Sequence, residues 1–337
     1  GDRVKEVGTC WIPDHVIGAV SADPLSQHEH LKEKPLSANW ITEAEDDELV
    51  EGLRELPLAY LEWLDDQERV VLQNIKDEHL KRVAKEHLEN CRNVAARMEN
   101  GIQLLSKCEI ARESFRLANK AMVLQAKWAG YEQELTWRPF QLGYQLVVLA
   151  SLADPWHPDR NIMDLLWFPT GGGKTEAYLG LVAFLCFQRR LRSPGDPEIG
   201  AGTAVIMRYT LRLLTLDQFR RAARLISACD LLRSKDPGRL GRSRISLGLW
   251  IGGDSTPNRV KEAAELLNDD DARNSPKQLK YCPCCGEQLS WMHDKGTPAI
   301  RCYCNNSSCD LSQLQEPLPV YTVDEDLYRE SPSLVIA

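Results

Sequence analysis

Residues 170–176, Thr-Gly-Gly-Gly-Lys-Thr-Glu, carry the densest chemistry in the chain. Three successive glycines can fold the backbone close around phosphate oxygens and turn several N–H groups inward. Lys174 is placed to reach the β- and γ-phosphates of a nucleotide, and Thr175 to hold Mg²⁺. An apolar run, Leu165 to Phe168, precedes the glycines, and a helix-forming run follows them. Strand, glycine loop, helix is the context a phosphate-binding loop requires, and a helix N-terminus adds a dipole that favours an anion. One residue departs from the strict pattern: Phe168 stands five positions before Gly173, where a glycine is expected. A plain Gly-rich turn before a helix is the bland reading, and the correctly spaced Lys174-Thr175 outweighs it. The expected nucleotide ligands are Thr170, Gly171, Gly172, Gly173, Lys174, Thr175 and Glu176, with Lys174 and Thr175 in the catalytic role.

A second cluster lies downstream. Six of the eleven cysteines fall in residues 282–309. Cys282 and Cys285 form C-x-x-C with Gly286 after the turn, and Cys304 and Cys309 form C-x-x-x-x-C. Two thiolate pairs across such a spacer supply the four sulfurs of a tetrahedral Zn²⁺ site. Six cysteines compete for four places: Cys302 is an alternative to Cys304, and Cys284 is the expected spare. Four thiolates leave no open coordination position, which argues for a structural ribbon over a catalytic zinc. A redox pair is the competing reading. The remaining cysteines are scattered, so the chain is no disulfide framework, and the pattern fits a reducing cytosol.

These sites need a scaffold. At 337 residues with 43% hydrophobic content, the chain can hold about two domains with substantial cores. No apolar run reaches the roughly 18 residues of a membrane span, so no membrane partner and a cytoplasmic location are expected. The opening Gly-Asp-Arg-Val-Lys is neither a signal peptide nor an initiator Met, which points to a removed tag or a start inside a longer protein. The net charge of −8 hides an asymmetry: residues 43–68 hold eleven acids and one base, residues 189–244 thirteen bases and five acids. The basic run is either a polyanion track or a salt-bridged, solvated surface, and composition does not choose.

Residues 1–40 are punctuated by Pro and Gly and form an irregular segment. Residues 41–130 read as a helical domain. Leu49, Leu53, Leu56 and Tyr60 recur at helical spacing, and Pro57 is expected to open a new helix. Val83, His87, Cys91, Val94 and Met98 are expected on one helix face, as are Phe115, Asn119, Met122 and Ala126. His79 and His87 are more simply surface residues than a metal pair. From 131 to 337 the pattern changes to strand 165–168, helix, strand 203–207, helix 213–233, strand 245–251, helix 257–267. That alternation is α/β and matches the first half of a RecA-like P-loop domain, here incomplete and carrying the zinc-ribbon insertion at 278–318. Gly252-Gly253 at the end of the third strand would allow close approach to a ligand, or would serve as a plain turn.

The wording of several segments resembles the helicase subunits of DISARM antiphage-defence systems, the DrmA-like branch of superfamily 2. The resembling segments are 167–178 (Trp-Phe-Pro-Thr-Gly-Gly-Gly-Lys-Thr-Glu-Ala-Tyr), 208–218 (Arg-Tyr-Thr-Leu-Arg-Leu-Leu-Thr-Leu-Asp-Gln), 252–258 (Gly-Gly-Asp-Ser-Thr-Pro-Asn) and the cysteine insertion. Leu53 to Tyr60 and Phe115 to Met122 are similar to the helical region that precedes the motor in that family. The resemblance runs from about residue 50 to the end and implies the N-terminal portion of an ATP-dependent DNA helicase or translocase. It implies ATP and Mg²⁺ at the glycine loop, with Gln141 of the Trp137–Gln141 segment reading the adenine edge. It implies Thr210, Arg212, Gly252 and Gly253 against the DNA backbone, with Gln218 a weaker candidate. The DNA would be a single strand, or a duplex with a single-stranded end. A DrmB-like companion protein and a bacterial cytoplasmic setting are implied as well.

One segment imitates a missing part. Val320 to Asp326, Val-Tyr-Thr-Val-Asp-Glu-Asp, has the form of a Walker B box, in which Asp324 would hold Mg²⁺ and Glu325 would activate water. It follows the zinc insertion directly within a Pro-rich stretch, and Ser333 to Ala337 looks like the next core strand. The resemblance implies the acidic box, the coupling motif and a second RecA-like domain beyond residue 337, and residues 1–337 alone are expected to bind nucleotide weakly, without appreciable turnover.

Overall fold

The computed structural model describes residue 8 and residues 34–168, 171–193, 195–209, 212–269, 272 and 274–337. Most of the irregular segment 1–40 lies outside these residues. The fold is mixed α/β and mostly helical, with a small parallel sheet.

Four helices open the described chain: α1 (Ala38–Glu43), α2 (Asp46–Asn74), α3 (Glu78–Lys107) and α4 (Glu109–Trp128). Their starts are written in the sequence. Ser37 Oγ accepts from Trp40 N at 3.1 Å and caps α1. Asp46, Asp47 and Glu48 fill the first turn of α2, where the helix dipole favours acids. Asp77 accepts from His79 N and Leu80 N at 2.8 and 3.0 Å and caps α3. Phe115, Asn119, Met122 and Ala126 are all buried on α4, as their spacing requires. Asn119 is there for a partner: its Oδ1 accepts from Trp137 Nε1 at 2.7 Å, and its Nδ2 donates to Phe115 O.

Two local expectations fail. Pro57 lies inside α2 instead of opening a helix. An interior proline costs about 3 kcal/mol. Leu53, Leu56 and Leu64, all buried on the same helix, each return roughly 1.5–3 kcal/mol, so continuing the helix wins. On α3 the buried stripe is Leu88, Ala95, Met98, Ile102 and Leu105, whereas His87 and Val94 are exposed. His79 is exposed too, its ring nitrogen 3.2 Å from Arg82, so the two histidines make no site. Gly101 marks a close approach of α3 to α5 (Pro139–Ala153): a Cβ there would lie 2.1 Å from Leu146 O.

Next come α6 (Lys174–Leu191), β1 (Val205–Met207), α7 (Arg212–Lys235), α8 (Pro237–Leu240), β2 (Leu247–Leu249) and α9 (Val260–Leu266). They are followed by β3 (Leu289–Asp294), β4 (Ala299–Cys304), α10 (Asp310–Gln313), β5 (Val320–Tyr321), α11 (Asp324–Glu330) and β6 (Leu334–Ile336). The parallel sheet has the order β1-β6-β2-β5, so the last strand in sequence sits between β1 and β2. β3 and β4 form a separate antiparallel hairpin. α4 packs on both α6 and α7, which joins the first helices and the sheet region in one continuous core.

The strand expected at 165–168 does not form. Residues 162–168 have no regular structure, and Ile162, Met163, Leu165 and Trp167 are exposed. A short apolar run becomes a parallel strand only where neighbours supply a ladder and cover both faces. Among the described residues, no strand supplies that ladder.

The basic run is largely structural. Arg190 is buried and donates to Leu240 O and Arg244 O at 2.8 and 3.1 Å. Arg189 holds the carbonyls of Gly200, Ala201 and Thr203. Asp230, 1% exposed, gathers Arg233 and Arg244 at 2.6 Å each and accepts from Ile245 N at 3.0 Å. Arg208, Arg220 and Arg242 remain exposed.

Candidate functional site

The glycine loop is built by its glycines and held from below by α5. Gly171 has φ +82° and Gly173 φ +89°, the left-handed region that side chains avoid. Gly173 caps α6. Its approach to α5 is so close that a Cβ would fall 2.6 Å from Gln141 Nε2. Gln141 is buried and spends both ends of its amide: Oε1 accepts from Arg138 N at 2.8 Å and Nε2 donates to Gly173 O at 2.7 Å. Arg138 donates through its guanidinium to Gly172 O at 2.8 Å. Lys174 Nζ donates to Phe168 O. Phe168 stacks on Phe140, with centroids 3.9 Å apart and planes 12° from parallel. The residue that departs from the strict motif therefore packs the loop onto α5.

The loop thus presents left-handed glycines and the first-turn N–H groups of α6, an 18-residue helix. That arrangement suits an anion. Lys174 and Thr175, both half-buried, begin the helix. Glu176 in the same turn forms an ion pair with Arg221 of α7, which links the loop's helix to the helix beginning at Arg212. Thr170 lies outside the described residues. Arg138 and Phe140 were not singled out as site residues, although they share a pentapeptide with Gln141. Only the fold reveals that the segment lies against the loop.

Three of the candidate nucleic-acid residues, Arg212, Gly252 and Gly253, fall on one rim. β1 and β2 flank β6 in a parallel sheet, so the segments that leave their C-terminal ends share one edge. Arg212 starts α7 on that edge, and Gly252-Gly253 follow β2. Gly252 has φ +86° with open space where a Cβ would be, while Gly253 packs on Asn258. Gly252 O accepts from Ser255 N and Thr256 N at 2.9 and 3.1 Å, which closes the turn. Thr210 lies outside the described residues. Gln218 is half-buried on α7.

Of the cysteines in the insertion, Cys282, Cys285, Cys304 and Cys309 have sulfurs all within 4.8 Å of one another. Cys282 and Cys309 are 3.8 Å apart, Cys285 and Cys304 3.5 Å. A tetrahedral Zn²⁺ with Zn–S near 2.3 Å needs sulfurs roughly 3.8 Å apart, so the donor set fits. Cys282 N donates to Glu287 O at 2.7 Å and Gly286 N to Cys282 O at 2.9 Å, folding the knuckle, with Gly286 at φ +76°. As thiols, three of these groups are shifted. Burial pushes the Cys282 thiol well up and the Cys304 thiol to about 11. At Cys285 burial also raises the pKa, but a hydrogen bond from the Glu287 backbone and the neighbouring sulfurs win and lower it. Binding a metal deprotonates thiols of either kind. Cys302 is fully buried deeper in the hairpin and Cys284 is half-buried, so the fold places Cys304 at the cluster.

Asp324 and Glu325 stand at the start of α11, beside β5 and at the opposite edge of the sheet from β1. Glu325 accepts from Val260 N at 2.9 Å, at the start of α9. Asp324 N donates to Pro257 O at 3.2 Å.

No family model matches the chain. Over an alignment of 369 residues, 99% of the chain is 34% identical to the DISARM protein DrmA of Bacillus paralicheniformis. The chain is DrmA-like along nearly its whole length. It spans 32% of the length of that relative. The resemblance read from about residue 50 to the end thus extends over nearly the whole chain. No helix among the described residues is long and apolar enough to cross a membrane.

Proposed function

We propose that this chain carries the nucleotide-binding part of an ATP-dependent DNA helicase or translocase subunit in a bacterial antiphage-defence system. One observation carries the reading: a Gly-Gly-Gly-Lys-Thr loop with two left-handed glycines, held at the N-terminus of α6 by Arg138 and Gln141. Residues 131–337 would then be the first RecA-like domain, with a zinc ribbon at 278–318 and the helical domain 41–130 packed beneath it. Loop N–H groups from 171–174 orient the phosphates, and Lys174 exchanges the Phe168 carbonyl for phosphate oxygens. Thr175 would hold Mg²⁺, and Thr170 would join the nucleotide ligands. Gln141 acts first as a latch on Gly173, because its amide is already spent on Arg138 and Gly173. Bound ATP–Mg²⁺ supplies the phosphoanhydride whose cleavage powers a motor. Thr210, Arg212, Gly252 and Gly253 contact the DNA backbone, and the Glu176–Arg221 pair connects nucleotide and DNA sides. A DrmB-like companion completes the assembly.

The test is DNA affinity with and without a non-hydrolysable ATP analogue. The reading expects nucleotide to change the affinity and Lys174→Ala to abolish that change. Salt-sensitive DNA binding indifferent to nucleotide would instead favour a second reading, an adaptor whose loop and ribbon serve assembly. The Glu325 carboxylate is engaged at the start of α9 and Asp324 bonds Pro257 through its backbone N–H, and both readings accommodate this.

A further inference from the structure

The zinc-ribbon hairpin does not stand free. It faces α7 and α9 across a cleft of about 790 Å³. Three cations line it, Arg220 from α7 and Lys277 and Lys280 from the segment entering the ribbon, and no acid is among the described lining residues. Tyr281, 62% exposed, and Trp291 add aromatic rings. The Trp291 ring and the Tyr281 backbone are held in place. Trp291 Nε1 donates to Leu279 O at 2.9 Å, and Tyr281 pairs with Gln288 through a backbone bridge one residue before Cys282. The cleft also joins the rim described above: Gln278, in its lining, donates to Ser255 O at 3.2 Å in the Gly252 turn.

We infer that this cleft between α7 and the zinc ribbon binds a single strand of nucleic acid, with Arg220 and Lys280 on phosphates and Tyr281 stacked on a base. The inference rests on the DNA-binding reading of the Gly252 turn and Arg212, and extends that path onto the ribbon. Cations alone would suit an acidic peptide equally. Cations interleaved with aromatic rings, one of them the exposed Tyr281, suit an unpaired strand, because each base offers a face to stack on while phosphates are neutralised beside it. The four-cysteine knuckle next to Tyr281 gives the ribbon a wall rigid enough for that purpose. The ribbon therefore acts as a clamp on the strand.

The experiment uses the whole chain, loaded with zinc, and a fluorescein-labelled oligothymidylate read by anisotropy across a salt series. Arg220→Ala and Lys280→Ala each weaken binding and reduce the salt slope by about 0.7. Tyr281→Ala weakens binding about tenfold with the slope unchanged. Unaltered zinc content and circular dichroism in each variant show that the ribbon still folds. If the chain binds the oligonucleotide and all three variants match it in affinity and slope, the cleft assignment falls while the rim reading stands. No oligonucleotide binding by the parent chain at any salt removes both. Equal competition by polyglutamate, lost in the same variants, would assign the cleft to an acidic protein and overturn the proposal.

Discussion

Replacing Gly173 by alanine tests whether the glycine loop works as the geometry says. At φ +89° an L-residue pays about 1–2 kcal/mol for the left-handed backbone. The added Cβ would also sit 2.6 Å from Gln141 Nε2 and displace the 2.7 Å hydrogen bond to Gly173 O, worth about 1 kcal/mol. The sum is about 2–3 kcal/mol. A free loop relieves this strain by distorting, so nucleotide binding must restore the shape and bears the cost. The expected result is an ATP-analogue Kd weakened roughly thirty- to 150-fold, measured by fluorescence titration with Mg²⁺, with a smaller change in thermal midpoint. Gly171→Ala is the internal control. Its φ is +82° but nothing lies within 4 Å of where a Cβ would stand, so it should carry only the backbone cost, roughly five- to thirtyfold. Adding Gln141→Ala to Gly173→Ala removes the clash, so the two changes should be less than additive. Equal losses at 171 and 173, or full additivity with Gln141→Ala, would refute the latch between α5 and the loop.

Cys282→Ser or Cys304→Ser should lower zinc below one equivalent per chain by elemental analysis, while Cys302→Ser and Cys284→Ser keep the full equivalent; the reverse result would reassign the ligands. Asp230→Ala leaves Arg233 and Arg244 without their buried partner and should cost about 3–5 kcal/mol in urea unfolding; a loss under 1 kcal/mol would show that the cluster relaxes freely. Arg221→Ala breaks a half-exposed pair, so its effect on stability stays below about 1 kcal/mol, yet it should shrink the effect of nucleotide on DNA affinity. An undiminished effect would take the Glu176–Arg221 pair out of the coupling. Asp324→Asn should leave the ATP-analogue Kd unchanged, and a tenfold weakening would return Asp324 to the nucleotide site.

Much of the candidate chemistry was legible because its signals are local. Gly171, Gly173 and Gly286 stand where the backbone takes positive φ, and a glycine's freedom is visible in one residue. Ser37 and Asp77 announce helix starts through side chains that reach only a turn away. The cysteine spacing likewise defines a knuckle. The choice between Cys302 and Cys304 was not legible, since both lie on one strand two residues apart, and only the packing of the hairpin puts Cys304 beside Cys285. The arginines of 189–244 were equally ambiguous, because a positive charge in a sequence does not say whether it faces a distant carboxylate, a backbone carbonyl or solvent.

The sequence by itself determined the glycines that take positive φ in the loop, the Cys282–Cys285 knuckle and most of the alternation of helices and strands, all set by residue type over a few positions. Tertiary structure decided the rest. It continued α2 through Pro57, because the burial of three leucines outweighs one proline. It left 165–168 without a ladder, because a strand exists only where another strand supplies its hydrogen bonds. It also spent Gln141 on holding Gly173, since an amide's role depends on which groups the fold brings within 3 Å of it.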